Sequence, residues 1–244
     1  MAKLFKEFLR RTVLARTDNL VALDDPYIAM HRLLEGREVT GILDAGASTG
    51  RVSRKLLRYF PLATAYGFEP NPDYADALAA AAEEEPRFRP EACALADKPG
   101  SMELNVTASA GATSFFRPSA HFKRLHPEAT EIAKTTAVPV TTVDAWAAER
   151  DIPGLELMKL DIQSAELLAL RGAAKTLESS TLLVYTEVFF NPMYEGGAIY
   201  SEIDLYLRDK GFALFNLYKV RADDRGMLDQ GNAIFVHAER LGFA

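Results

Sequence analysis

The stretch Ile42-Leu-Asp-Ala-Gly-Ala-Ser-Thr-Gly50 decides the fold, because a buried strand runs directly into a glycine turn and then into a helix. Gly46 permits the tight turn, and Gly50 lets the helix sit close to the strand. The start of that helix presents free N–H groups that can bind a carboxylate or a phosphate. Ser48 takes the place of the central glycine of dinucleotide-binding turns. This weakens a dinucleotide interpretation and leaves a purely structural turn as the alternative.

Strands and helices alternate along the rest of the chain. The pattern predicts strands over Val39–Asp44, Ala65–Phe68, Phe88–Ala94, Met102–Thr107, Val138–Val143, Leu155–Asp161, Leu182–Glu187, Phe212–Val220 and Asn232–Ala238. It predicts helices over Val52–Tyr59, Asp73–Glu84, Ala145–Arg150 (capped by Asp144), Ala165–Leu177 and Tyr200–Lys210. Such alternation is typical of an α/β fold with a parallel sheet and right-handed crossovers, and the last two strands are close enough to pair as a hairpin. Ligands are therefore expected at the carboxyl ends of the strands.

The composition is that of an ordinary globular protein with one large domain. The 244 residues carry 28 Lys and Arg against 34 Asp and Glu, a net charge of −6, and 48% of them are hydrophobic. These values exclude a disordered chain and a collagen, and the single Cys93 excludes a disulfide scaffold and a cysteine metal site. The acidic balance argues against a nonspecific nucleic-acid binder.

The N-terminal segment differs from the rest in its charge. Residues 1–16 carry five basic residues against one acidic residue, with apolar residues at helical spacing. This predicts an amphipathic helix that packs on the domain, with a membrane-surface or partner helix as the alternative. We divide the chain into a helical extension, residues 1–37, and a main domain, residues 38–244. Neither a secretory signal nor a membrane span is recognisable, so a cytoplasmic location is expected.

Polar side chains stand at the ends of the predicted strands. Glu69 ends the second strand, where a carboxylate can accept two hydrogen bonds from a ribose diol; a solvated or helix-capping glutamate is the alternative. The stretch Cys93–Asp97 lies at an edge of the sheet where a residue commonly flanks a purine. Asp161 and Glu187 end adjacent strands, and two neighbouring carboxylates suit general-base catalysis or a divalent cation such as magnesium. Hydrogen bonds to loop backbone are the alternative role for this pair.

Residues 108–137 show no clear periodicity and have the length of a lid or binding loop. His121 and His126 within this segment are alternative bases, although each alone is typical of the surface. Three basic residues of the segment suit an acidic substrate or form a solvated face: Arg117, Lys123 and Arg124. Three other residues are interpreted as structural: His31, His237 and Glu166, the last in a first helical turn.

The motifs together resemble the FkbM family of S-adenosylmethionine-dependent methyltransferases, over residues 38–238. The similar motifs are Asp44-Ala-Gly46-Ala-Ser48-Thr-Gly50, Phe68-Glu69-Pro70, Ala94-Leu95-Ala96-Asp97, Gly111-Ala-Thr113-Ser114, Thr142-Val143-Asp144, Lys159-Leu-Asp161-Ile-Gln163-Ser164-Ala-Glu166, Leu170-Arg171-Gly172 and Gly211-Phe212. Three positions depart from the family pattern: Ser48 replaces Asn, Gln163 replaces Glu, and Ser164 replaces Gly. The replacements at Gln163 and Ser164 affect any role that depends on the carboxylate of the Glu in the family pattern.

The resemblance implies a class I, Rossmann-like methyltransferase fold, with helices on both faces of the sheet and S-adenosylmethionine in the crevice. Implied cofactor-binding residues are Asp44, Gly46, Ala47, Ser48 and Gly50 for the methionine end, Glu69, Pro70 and Asn71 near the ribose, Ala94 and Leu95 at the adenine, and Asp161. The family methylates hydroxyls of sugars and natural products. The candidate catalytic residues are Asp161, Glu187 and His121.

The expected activity is therefore methyl transfer to a hydroxyl of a small molecule. A nucleotide-binding oxidoreductase and a non-catalytic cofactor-binding module are the alternatives. The partners expected are a hydroxylated acceptor and no nucleic acid, and a homo-oligomer is left open.

Overall fold

The computed structural model describes residues 25–223 and 225–243, and its centre is a seven-stranded sheet. The strands are β1 (Gly41–Ala45), β2 (Thr64–Phe68), β3 (Phe88–Glu91), β7 (Leu157–Leu160), β8 (Leu183–Phe189), β9 (Phe212–Ala222) and β10 (Leu228–His237). Their order is β3-β2-β1-β7-β8-β10-β9. The first five in this order are parallel, whereas β10 is antiparallel to both β8 and β9. The predicted parallel sheet with a terminal hairpin is confirmed.

A second, three-stranded sheet packs beside the first and corrects two predictions. It joins β4 (Ala94–Leu95), β5 (Gly100–Thr107) and β6 (Ile132–Thr141) in the order β4-β6-β5. The strand predicted over Phe88–Ala94 is therefore two strands in different sheets. The segment 108–137 is also less irregular than predicted, because β6 begins at Ile132 and a helix occupies Ala120–Leu125.

Helices cover both faces of the central sheet, as the resemblance implied. They are α1 (Pro26–Leu33), α2 (Arg51–Tyr59), α3 (Ala75–Glu84), α4 (Ala120–Leu125), α5 (Val143–Glu149), α6 (Glu166–Arg171), α7 (Ala174–Ser179), α8 (Tyr200–Asp209) and α9 (Ala238–Leu241). Successive strand residues point to opposite faces. Accordingly, Ile42 packs with Leu56 of α2 in one core cluster, while Leu43 packs with Leu170 of α6 and Leu207 of α8 in the other.

Two helix predictions were wrong in detail. The predicted helix Ala165–Leu177 is broken into α6 and α7 at Gly172, where a Cβ would overlap the carbonyl oxygen of Ala96. Thr142, and not Asp144, caps α5, because its Oγ1 accepts a hydrogen bond from the Ala145 N–H at 3.0 Å. The Asp144 carboxylate instead accepts from backbone N–H groups at the start of α7.

The predicted basic helix within residues 1–16 lies outside the described residues. The described part of the predicted extension begins at Asp25, whose carboxylate caps α1, and buries Tyr27 and Met30 against Leu56. Within the described residues, none of the helices combines the length and apolar character that crossing a bilayer requires.

Candidate active site

A cavity of about 360 Å³ opens at the carboxyl ends of β1, β2 and β7. Eight of the predicted cofactor-binding residues belong to its wall: Gly46, Ala47, Ser48, Glu69, Pro70, Ala94, Leu95 and Asp161. Three do not: Asp44, Gly50 and Asn71. The position agrees with the general rule that parallel sheets bind ligands at this edge.

The glycine turn requires glycine because neighbouring residues approach its backbone closely. Gly46 has φ +76°, and a Cβ there would overlap the carbonyl oxygen of Asp161. Gly50 has φ +70° and packs against the Phe88 ring of β3, so a larger residue would push the helix off the sheet. Ser48 also adopts a left-handed conformation, with φ 51°. Its backbone N–H donates to the Glu69 carboxylate at 2.9 Å, which ties the turn to the next strand.

Beneath the turn lies a buried ion pair between Asp44 and Lys159. Lys159 Nζ is 2.9 Å from Asp44 Oδ1, and the two side chains are 4% and 0% exposed. The ammonium also donates to the carbonyls of Ala45 and Gly46 at 3.2 Å, and Ser53 Oγ donates to Asp44 Oδ2 at 2.6 Å. Burial alone would lower the pKa of Lys159, but the carboxylates of Asp44 and Asp161 raise it above its ordinary value. Lys159 therefore stays charged, and its contacts tie the turn to β7.

Glu69 presents a buried carboxylate to the cavity. Its two oxygens accept hydrogen bonds from the backbone N–H groups of Ser48, at 2.9 Å, and Asn71, at 3.0 Å. Burial raises the pKa of Glu69, and these two N–H donors oppose that rise. Each carboxylate oxygen has a second lone-pair site, so Glu69 can still accept from a ligand hydroxyl.

Asp161 and Glu187 lie side by side. The register pairs Leu160 with Thr186, so Asp161, the residue after β7, lies beside Glu187 of β8. Glu187 does not end its strand as predicted, because β8 continues to Phe189. Gln163 Nε2 donates to Asp161 Oδ1 at 3.0 Å and to Glu187 Oε2 at 2.5 Å. An amide group therefore bridges the two carboxylates.

Two hydroxyl groups also donate hydrogen bonds to Gln163. Tyr194 Oη donates to Gln163 Oε1 at 2.8 Å, and Ser114 Oγ donates to the Gln163 carbonyl at 2.6 Å. Gln163 and Ser164 both have positive φ, 55° and 74°, a conformation that costs about 1–3 kcal/mol outside glycine. Such strain persists where surrounding contacts hold it, and here Gln163 is held by hydrogen bonds with Ser114, Tyr194, Asp161 and Glu187.

Glu187 and Glu166, which lie behind the cavity wall, both have a raised pKa. Burial raises the pKa of Glu187 well above its ordinary range, and the charges of Asp161 and Glu166 add to the rise. Burial raises the pKa of Glu166 to about 7, although its Oε1 accepts from the Ile162 N–H at 2.8 Å. Glu166 therefore changes charge near neutral pH, in a place with no access for solvent.

We expect Glu166→Gln to flatten the dependence of stability on pH. A carboxyl whose pKa is raised by folding stabilises the protein fully below its ordinary value, 4.5, and this contribution is lost as pH rises through about 7. The free energy of unfolding of the variant, taken relative to that of the wild type, should therefore be about 1–3 kcal/mol higher at pH 8 than at pH 5. Urea unfolding at both pH values measures this. Glu83→Gln, on an exposed glutamate, is the control, and parallel behaviour of Glu166→Gln and the control would contradict the prediction.

The candidate base His121 does not belong to the cavity wall. It lies on α4, with Nε2 3.5 Å from Asp229 Oδ1 and Nδ1 2.8 Å from Arg124. The remaining polar candidates of this segment, His126, Arg117, Lys123 and Arg124, are solvent-exposed. Of the histidines interpreted as structural, His237 caps α9, and His31 is exposed but packs against the rings of Tyr59 and Phe60.

Lys159 and Tyr194 have no role predicted from the sequence. A signal for Lys159 was present, because a single charge in the apolar run Leu157–Leu160 requires a buried partner. Tyr194 carried no comparable signal, since its partner Gln163 lies 31 residues away. Among the described residues, no group of three or more His, Cys, Asp or Glu side chains could hold a metal ion.

Comparison with known proteins agrees with this geometry. The methyltransferase FkbM domain matches residues 44–214. The 2-O-methyltransferase NoeI of Sinorhizobium fredii is 26% identical over 162 residues, which are 64% of this chain and 65% of NoeI, so the chain spans just under two thirds of that relative. The crystal structure of methyltransferase FkbM from Methylobacillus flagellatus matches with a TM-score of 0.51 at 13% identity, over 82% of this chain and 44% of that chain. The fold is thus that of a class I methyltransferase, and the chain belongs to the FkbM methyltransferase family.

Proposed function

We propose that this chain transfers a methyl group from S-adenosylmethionine to a hydroxyl group of a small molecule, such as a sugar or another natural product. The observation that carries the proposal is the order of carboxylates along one cavity. Glu69 follows β2, the glycine turn follows β1, and Asp161 follows β7. Two strand spacings, about 10 Å in total, separate Glu69 from Asp161, which gives separate places for the nucleoside and the reacting groups.

The wall of the cavity fits a nucleoside at its Glu69 end. Glu69 supplies a carboxylate for a ribose diol, and the backbones of Ala94 and Leu95 lie nearby with small and apolar side chains. Phe68 and Leu104 add apolar surface suited to a flat base. When bound, S-adenosylmethionine supplies a methyl carbon activated by a sulfonium centre.

Asp161 is the proposed general base. Its side chain is 43% exposed and lines the cavity, whereas Glu187 is buried behind it. The Asp161 carboxylate would accept the proton that the acceptor hydroxyl loses, and the wall would hold that oxygen in line with the methyl carbon. Gly111, Thr113 and Phe115 of the segment 108–137 contribute to the same wall, which supports a role for this segment in shaping the acceptor site. The name of the relative NoeI, a 2-O-methyltransferase, supports oxygen as the acceptor atom.

We expect Glu69→Gln to weaken S-adenosylhomocysteine binding by about 1–3 kcal/mol, the usual cost of losing hydrogen bonds to a charged group. The amide keeps the size of the side chain but replaces one acceptor oxygen by a donor. Isothermal titration calorimetry of the full chain measures the change. The matched control is Glu91→Gln, which alters a strand-end carboxylate that pairs with Arg150 outside the cavity wall.

Two results would contradict this assignment. An unchanged dissociation constant in a folded Glu69→Gln variant would mean that the ribose lies elsewhere. Binding of NAD to the wild type, without binding of S-adenosylhomocysteine, would favour the oxidoreductase alternative over methyl transfer.

A further inference from the structure

The carboxylate pair of Asp161 and Glu187 already has a nitrogen group opposite each of its four oxygens. Gln163 Nε2 donates to one oxygen of each residue, at 3.0 and 2.5 Å. Gln230 Nε2 donates to Glu187 Oε1 at 3.3 Å. Lys159 Nζ lies 4.0 Å from Asp161 Oδ2. A divalent cation bound between the carboxylates would have to displace the Gln163 amide and approach the Lys159 ammonium.

The orientation of the Gln163 amide is determined by its surroundings. An amide nitrogen carries two N–H donors, and here they reach one oxygen of Asp161 and one oxygen of Glu187, whereas the amide oxygen can only accept. The Tyr194 hydroxyl, at 2.8 Å, supplies a donor for that oxygen. If the amide were reversed, its oxygen would oppose an oxygen of Asp161, and the Tyr194 hydroxyl would lose its acceptor. The network therefore uses both donors of the side chain.

We propose that the Gln163 amide is a built-in substitute for a cation, which holds Asp161 and Glu187 together so that this chain positions its carboxylate pair without a divalent metal. The role of Gln163 in positioning the base rests on the proposed function. Its role in taking the place of a metal ion does not. Glutamate, the residue of the family pattern at this position, would instead place three carboxylates around one point. Three carboxylates form the hard oxygen site that magnesium and manganese prefer.

Titration of the full chain with Mn²⁺, followed by electron paramagnetic resonance and calorimetry, tests the proposal. We expect Gln163→Glu to bind one Mn²⁺ at least about tenfold more tightly than the wild type, because a third oxygen ligand replaces a donor. Gln163→Ala, which only removes the amide, should show intermediate affinity. The double variant Asp161→Asn/Gln163→Glu restores the wild-type charge and should lose the gain.

Equal Mn²⁺ affinity of the wild type and Gln163→Glu would overturn the proposal, as would wild-type binding of Mn²⁺ that Asp161→Asn abolishes. If Gln163→Glu does not fold, the test passes to Gln163→Ala. An Mn²⁺ affinity of Gln163→Ala equal to that of the wild type would then overturn the proposal. S-adenosylhomocysteine titrated into the same samples reports on the proposed function separately. Failure of the wild type to bind that compound would contradict methyl transfer and leave the manganese result unchanged.

Discussion

Lys159→Met is expected to lower the free energy of unfolding by about 3–5 kcal/mol, the cost of leaving a buried charge without its partner. The ammonium lies 2.9 Å from Asp44, which is completely buried, and its removal leaves that carboxylate with the Ser53 hydroxyl as its remaining donor. Methionine keeps most of the volume, so the loss measures charge and hydrogen bonding more than packing. Urea unfolding at neutral pH measures the change.

Two further variants test whether the stability loss in Lys159→Met comes from the burial of the ion pair. Lys134→Met removes an ion pair with Asp73 at 2.7 Å whose side chains are about half exposed, and exposed pairs contribute about 0–1 kcal/mol. The double variant Asp44→Asn/Lys159→Met should be more stable than the sum of the single effects predicts, because neither charge is then left alone. A loss in Lys159→Met as small as that in Lys134→Met would show that water reaches Asp44.

The parts of the fold that local residue patterns determine were predictable. β1, its glycine turn and α2 were predicted to within two residues, because Gly46 and Gly50 mark the turn and apolar strand residues precede it. The second sheet was not predicted, since β6 contains Lys134-Thr-Thr-Ala137, which has no clear alternation. Its pairing with β5 joins residues 25 to 40 positions apart, from Thr107 with Ile132 to Gly100 with Val140, and no local pattern encodes such a partner.

The site shows the same division between local and distant information. Glu69 and Asp161 were predicted at the cavity because each directly follows a strand, and the structure places both in its wall. Gln163 was noted only as a departure from a family pattern. Its hydrogen-bond partners Glu187 and Tyr194 come from a separate strand and a separate loop, so three-dimensional contacts were needed to interpret the substitution. The roles of these residues in binding and catalysis stay predictions.

Asp161→Asn is expected to reduce turnover by about 100- to 10,000-fold, the usual cost of losing a general base. The variant keeps the size of the side chain and one acceptor oxygen, so any loss of affinity for S-adenosylhomocysteine should stay within about tenfold, far below the loss of turnover. Turnover is measured as S-adenosylhomocysteine release with a panel of hydroxylated acceptors. Asp97→Asn, an exposed carboxylate outside the cavity wall, is the control that should leave turnover unchanged.

The base and the cation alternatives for Asp161 give different results in the same assay. If Asp161 is the base, the wild type keeps its full activity in EDTA, and added Mg²⁺ or Mn²⁺ does not restore turnover to Asp161→Asn. If the pair instead needs a cation, EDTA abolishes activity and Mg²⁺ or Mn²⁺ restores it, which would contradict the bridging role of Gln163. Normal turnover in Asp161→Asn would exclude both alternatives. The carboxylate would then serve structure or cofactor binding, and His121, which lies within residues 108–137 with its Nε2 3.5 Å from Asp229 Oδ1, would become the next candidate base to replace.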